Sequence, residues 1–137
     1  MARIVGIDYG LKRCGIAVTD EFQLIASALT TIETPKLFEF LKTYFEKEKV
    51  EKVVVGDPKD LRGNDTHGTA PVKNFVYQFQ KKFPTMELIL VDERFTSKMA
   101  SQAILMSGVK KTERQNKGLI DQVSATIILQ YYMGMKR

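Results

Sequence analysis

Few acidic residues of this chain stand where chemistry is usually done. Asp8 ends a short apolar run, RIVGID, that Gly10 closes. Asp92 and Glu93 end another, LILV at 88–91. Asp121 opens a helical pattern in which Ala125, Ile128, Leu129 and Tyr132 follow at +4, +7, +8 and +11, so it heads the apolar stripe. An acid in the first helical turn gains ~0.3–1 kcal/mol from the helix dipole, which does not explain why it points inward. An inward carboxylate needs a partner, because a buried unpaired charge is costly, and its own helix supplies none. Singly, each of the others has a plainer reading: Asp8 caps the turn into Tyr9-Gly10, and Asp92 or Glu93 pairs with Arg94 or starts a cap. If they converge, however, they repel one another, and a shared site makes sense chiefly around a divalent cation. Oxygen ligands suit Mg²⁺ or Mn²⁺. Two such ions ~3.5–4 Å apart activate a water, steady the leaving oxygen and orient a phosphodiester for in-line attack. The pattern predicts metal-dependent phosphodiester hydrolysis.

Basic residues flank these acids. Lys12 and Arg13 follow Asp8 in the same hairpin, and Lys110, Lys111, Arg114 and Lys117 fill a loop that leads into the helix of Asp121, with only Glu113 against them. Two basic segments on either side of an acidic cluster would grip phosphates on both sides of a scissile bond. Gly10, at the turn, and Arg94, after the second acid pair, join this substrate-contacting set. The long polar connection after Asp57-Pro58 offers Asn64, Thr66 and His67 to a substrate, although His67 reads equally well as a surface loop residue. One cysteine and one histidine leave neither an internal disulfide nor a His/Cys zinc cluster.

The elements that must position these residues can be read from the apolar periodicity. Arg3–Asp8, Cys14–Thr19 and Leu24–Glu33 are short strand-like runs with short separations, an antiparallel meander. Leu37, Phe40, Leu41, Tyr44 and Phe45 then fall on one helical face behind Pro35. Val53-Val54-Val55 is a buried strand, Val72 to Phe83 restores helical spacing, and Leu88–Val91 is the last strand. A helix capped by Thr96 or Ser97 runs to Ser107, and the final one covers about Leu119 to Met133. Three strands followed by helix–strand–helix–strand–helix predict an α/β fold, a mixed sheet with helices on both faces. In such sheets ligands gather outside the carboxyl ends of the strands, where Asp8 and Asp92-Glu93 stand.

Composition sets the outer bounds. At 137 residues the chain is expected to be one domain, and 44% hydrophobic with 27% charged is ordinary for a folded one. A net charge of +5 is compatible with nucleic acid but equally with simple solubility. No apolar run reaches the ~18 residues of a membrane span, and the N-terminus does not read as a signal peptide, so a cytoplasmic location without a membrane partner is expected.

The segments IVGIDYGLKRCGIAVTD, VVVGDPKDLRG, LILVDERFTS and GLIDQVSATIILQYY, in this order and at these distances, resemble the YqgF family of small bacterial proteins, from about Arg3 to Tyr132. That family is described as a nuclease processing the 5′ end of the small-subunit rRNA precursor and, in other accounts, as a Holliday junction resolvase. The resemblance implies an RNase H-like fold, a five-stranded mixed sheet with its first three strands antiparallel. It also implies that Asp8, Glu93 and Asp121 are catalytic and hold the metal. Spacing leaves Asp92 and Glu93 open; Glu93 is preferred here for its longer arm. The DPKDLRG segment departs from the family's usual Leu-Pro-Leu-Asn-like run, with Asp57 before the proline, Asp60 for the Asn and Arg62 where an acid is frequent. If that loop selects substrate, specificity departs before chemistry does. The expected partners are structured RNA or branched DNA, and ribosomal precursor particles. A monomer or weak homodimer is expected, since one cut needs one copy and symmetric junction cleavage needs two. Another class of reading is an RNase H-like module that binds RNA or a ribosomal partner without cutting. Asp8-Tyr9-Gly10 also resembles the phosphate loop of actin-like ATPases, which close two such domains over a nucleotide.

Overall fold

A computed structural model describes residues 1–58, 69–93 and 117–135. Its strands are β1 (Arg3–Asp8), β2 (Arg13–Thr19), β3 (Ala26–Glu33), β4 (Val50–Asp57) and β5 (Glu87–Asp92). Its helices are α1 (Leu37–Lys47, entered through a 3-10 turn at Thr34–Lys36), α2 (Thr69–Lys82) and α3 (Lys117–Met135). The sheet order is β3-β2-β1-β4-β5. β1 pairs antiparallel with β2 and parallel with β4, and β5 is parallel to β4. The meander followed by parallel strands is therefore the arrangement that the apolar runs predicted.

Strand parity divides the interior into two cores. Val5 and Ile7 of β1, Cys14 and Ile16 of β2 and Val53 and Val55 of β4 point to one face, where Leu37, Leu41, Val72, Phe75 and Phe79 of α1 and α2 cover them. Ile4, Ala17, Val54 and Val91 point to the other, under Ala125, Ile128, Leu129 and Tyr132 of α3. β1 is the middle strand with a helical layer on each side, so its residues 4–7 are all buried and must all be apolar or Gly. The α3 stripe is the one that Asp121 heads in the sequence.

Several boundaries differ from the expected ones, some of them for plain local reasons. β3 begins at Ala26 and not Leu24, because the Asp20 carboxylate accepts the N–H groups of Phe22, Leu24 and Ile25 at 3.1, 2.8 and 2.8 Å and keeps them in the turn. β4 extends beyond its apolar triplet at both ends, because it pairs with β1 on one side and β5 on the other. α3 starts at Lys117, so this residue belongs to the helix and not to a loop. The expected helix up to Ser107 lies outside the described residues.

Candidate active site

The parity that builds the α3 core also decides which side chains meet at its open end. Asp8 follows Ile4 and Gly6 on the α3 face of β1. Arg13 and Gly15 share the parity of Ala17 on β2, and Gly56 shares that of Val54 on β4. Glu93, one residue past β5, is two beyond Val91, which packs under α3. Asp57 and Asp92, paired with each other in the β4–β5 register, have the opposite parity. Both ends of the Asp92-Glu93 pair are thus acidic, but Glu93 is the one on the Asp8 side.

Small residues let these groups close up. A Cβ at Gly15 would run into the backbone carbonyl oxygen of Asp121 and lie 2.8 Å from the Gln122 nitrogen, so glycine lets the first turns of α3 rest directly on β2. A Cβ at Gly56 would strike the Glu93 carboxylate, with Cγ and Cδ both at 2.7 Å. The missing side chain on β4 is the notch in which Glu93 lies. Gln122 Nε2 donates to Thr31 Oγ1 at 3.1 Å and ties the start of α3 to β3 as well.

Within this recess the Asp8 and Glu93 carboxyls are hydrogen-bonded to each other. Burial, reinforced by the charge and hydrogen bond of Glu93 and the charge of Asp121, pushes the Asp8 carboxyl up to about 9. Glu93 is raised too, chiefly by burial, with Asp57 and Asp92 adding repulsion and the Asp8 hydrogen bond opposing it. At neutral pH the pair therefore shares a proton, as two carboxyls crowded into one half-buried site do. Asp121 Oδ2 lies 3.2 Å from Arg13 Nε. Its partner comes from β2, across the recess, which the helical spacing alone does not reveal. Among the described residues no three acid, His or Cys side chains are already gathered as a cage for an ion.

The donor set nonetheless fits a hard divalent cation. The groups are carboxylate oxygens, the proton shared by Asp8 and Glu93 is positive charge that an ion would replace, and Arg13 neutralises the third acid. Asp8 and Glu93, with Asp121 at the edge, are the residues that would hold it.

Beside the acids opens a groove of about 360 Å³, walled by the 9–13 hairpin, Pro71 and Asp121. Gly10, Lys12 and Arg13, which the sequence offers as substrate contacts, line it. Arg94, Lys110, Lys111 and Arg114 lie outside the described residues, as do Asn64, Thr66 and His67. Three supporting residues lie outside the expected set. The Thr34 hydroxyl donates to the Gly10 carbonyl at 2.6 Å and its N–H to the Lys12 carbonyl at 3.0 Å, so the start of the 3-10 turn fixes the hairpin. The Tyr9 ring stacks on Phe75 at 4.8 Å between centroids and pins the same hairpin to α2. Asp57 is the third addition, since it raises the charge around Glu93. Its signal was present, an acid closing a middle strand, but it reads first as part of a turn before Pro58.

The comparisons concern the fold and the family. In fold, the chain resembles Thermus thermophilus RuvC: a structure described as "T. thermophilus RuvC in complex with Holliday junction substrate" matches with a TM-score of 0.58 and 16% identity, covering 98% of this chain and 96% of that one. A second Thermus thermophilus RuvC structure matches with a TM-score of 0.52. The fold is the RuvC-like RNase H fold. Residues 2–135 match the family model described as "RuvX: Holliday junction resolvase". A protein of Flavobacterium johnsoniae named "Putative pre-16S rRNA nuclease" is 58% identical over 137 residues, covering 100% of this chain and 99% of that protein. One of Bacteroides thetaiotaomicron with the same name is 48% identical over 137 residues, with the same coverage. The chain belongs to the RuvX/YqgF family.

Proposed function

We propose that this chain is a divalent-metal-dependent endonuclease that processes the 5′ end of pre-16S rRNA in the cytoplasm. The observation that carries the reading is the half-buried Asp8–Glu93 carboxyl pair, with Asp121 within charge range, at the carboxyl ends of β1 and β5 beside an open groove. The full-length relatives named for pre-16S rRNA support RNA as the substrate. Asp8, Glu93 and Asp121 would hold Mg²⁺ or Mn²⁺. When bound, the ion lowers the pKa of water and stabilises charge developing on the phosphoryl oxygens.

The chain's own residues do the rest. Partial burial weakens the screening around Asp8 and Glu93, so their charge acts more strongly once their shared proton leaves. Gly10 leaves the hairpin backbone open to a phosphate, with Lys12 beside it as an exposed cation. Thr34 and Tyr9 hold that hairpin at a fixed distance from the acids. Arg94, Lys110, Lys111, Arg114 and Lys117 are the further cations that the sequence offers to the phosphate backbone.

A second reading, cleavage of branched DNA, is favoured by the family description and the likeness to RuvC. It requires two copies for symmetric cuts. Offering the wild type a pre-16S rRNA carrying its 5′ flank and a four-way DNA junction, with Mg²⁺ or Mn²⁺, decides between them. Metal-dependent cutting of the RNA alone is the expected result. Cutting of the junction alone moves the protein to recombination, and tight binding with no cutting of either makes it a binding module.

A further inference from the structure

The Arg13–Asp121 pair is an unusual feature of an acidic site. Arg13 Nε sits 3.2 Å from Asp121 Oδ2, yet it is buried and makes no hydrogen bond, so the two charges attract without the alignment that would lock them. The side chains are 32% and 23% exposed, enough for the guanidinium to move without crossing the core. Parity on β2 aims Arg13 at α3, and Gly15, two residues on, lets α3 come down onto it. Arg13 also lines the same groove as Gly10 and Lys12, so a guanidinium that leaves Asp121 remains beside the place where phosphates are gripped.

Resting on the metal-dependent reading of the site, we infer that Arg13 is the built-in counter-cation of Asp121, a positioning residue that competes with the divalent ion for this carboxylate. While Oδ2 is held by Arg13, Asp121 cannot give its full charge to an ion shared with Asp8 and Glu93. One of the three carboxylates is thus already paired with an internal cation. Arg13 therefore weakens metal binding by the free protein, opposite to what a merely structural ion pair would do.

The test is a Mn²⁺ titration of the full chain, reading free Mn²⁺ by electron paramagnetic resonance without nucleic acid, for wild type, Arg13→Gln and Arg13→Lys. Releasing a half-buried ion pair should make Arg13→Gln bind about three- to tenfold more tightly. Arg13→Lys keeps the competing charge and should stay within about twofold of wild type. Melting curves identify a variant that has lost its fold; should Arg13→Gln do so, Arg13→Met, which retains the aliphatic stem, takes its place under the same expectation. Equal or weaker Mn²⁺ binding by a folded, uncharged variant overturns the inference and leaves the metal site standing. Failure of every protein, wild type included, to bind Mn²⁺ overturns the metal reading itself.

Discussion

Replacing Asp8 by Asn should stabilise the metal-free protein while destroying its activity. The folded chain holds a proton at Asp8 up to about pH 9, whereas the unfolded chain releases it near 3.8. The native state thus binds more protons than the unfolded one between these values, and its stability falls as pH rises through that window. By pH 7 the cost, at ~1.4 kcal/mol per pH unit, reaches at most ~4 kcal/mol. Sharing of the proton with Glu93 and relaxation of the recess reduce this to about 1–3 kcal/mol. A carboxamide of the same shape carries no such penalty and can still donate to Glu93. The expected gain at pH 7 is ~3–10 °C in melting temperature. The assay is thermal unfolding of both proteins in chelator-treated buffer from pH 4 to 9. The difference should be near zero at pH 4 and widen as pH rises. A difference that is flat with pH, or an Asp8→Asn variant less stable at pH 7 than wild type, refutes the claim that crowding and burial hold this carboxyl protonated.

Three other outcomes follow from the same geometry. Gly15→Ala forces a Cβ onto the Asp121 carbonyl, so denaturant unfolding should show a loss of about 1–3 kcal/mol and Mn²⁺ binding should weaken together with it. Thr34→Val removes the hydroxyl that holds Gly10, which should cost about 1 kcal/mol by denaturant unfolding and, in steady-state cleavage, raise KM more than it lowers kcat. Saturating Mn²⁺ should raise the melting temperature of wild type but not of Asp8→Asn, because only a site able to release its proton gains from the ion.

Much of this was legible before any coordinates. The apolar runs locate all five strands, and the +4, +7, +8, +11 spacing from Asp121 names the stripe that does pack under α3. What spacing could not tell was which face of each strand that helix covers. This is why Asp92 and Glu93 remained open: arm length favoured Glu93, but the physical reason lies in Val91, which faces α3 and so places the residue two beyond it over the Gly56 notch. The same missing face hid the Arg13–Asp121 pair, since a residue in a hairpin and one 108 positions later meet only through the sheet. Thr34 was invisible for another reason. Its hydroxyl and N–H both reach carbonyls of a hairpin distant in sequence, and nothing in its neighbours distinguishes it from any threonine before a proline. Asp57 was seen, but its role as a charge beside Glu93 depends on β4 running on past its apolar triplet.

The central claim is that Asp8, Glu93 and Asp121 act together as one metal-dependent cutting centre. It is tested most directly by single-turnover cleavage of the 5′-flanked pre-16S rRNA with Mn²⁺, comparing wild type with Asp8→Asn, Glu93→Gln and Asp121→Asn, each shown to be folded. Each variant should lose at least ~10³-fold in rate, and any two combined should lose little more than one alone, as groups that act as a unit do. Cleavage by folded Glu93→Gln or Asp8→Asn at the wild-type rate would place the chemistry elsewhere and contradict the account.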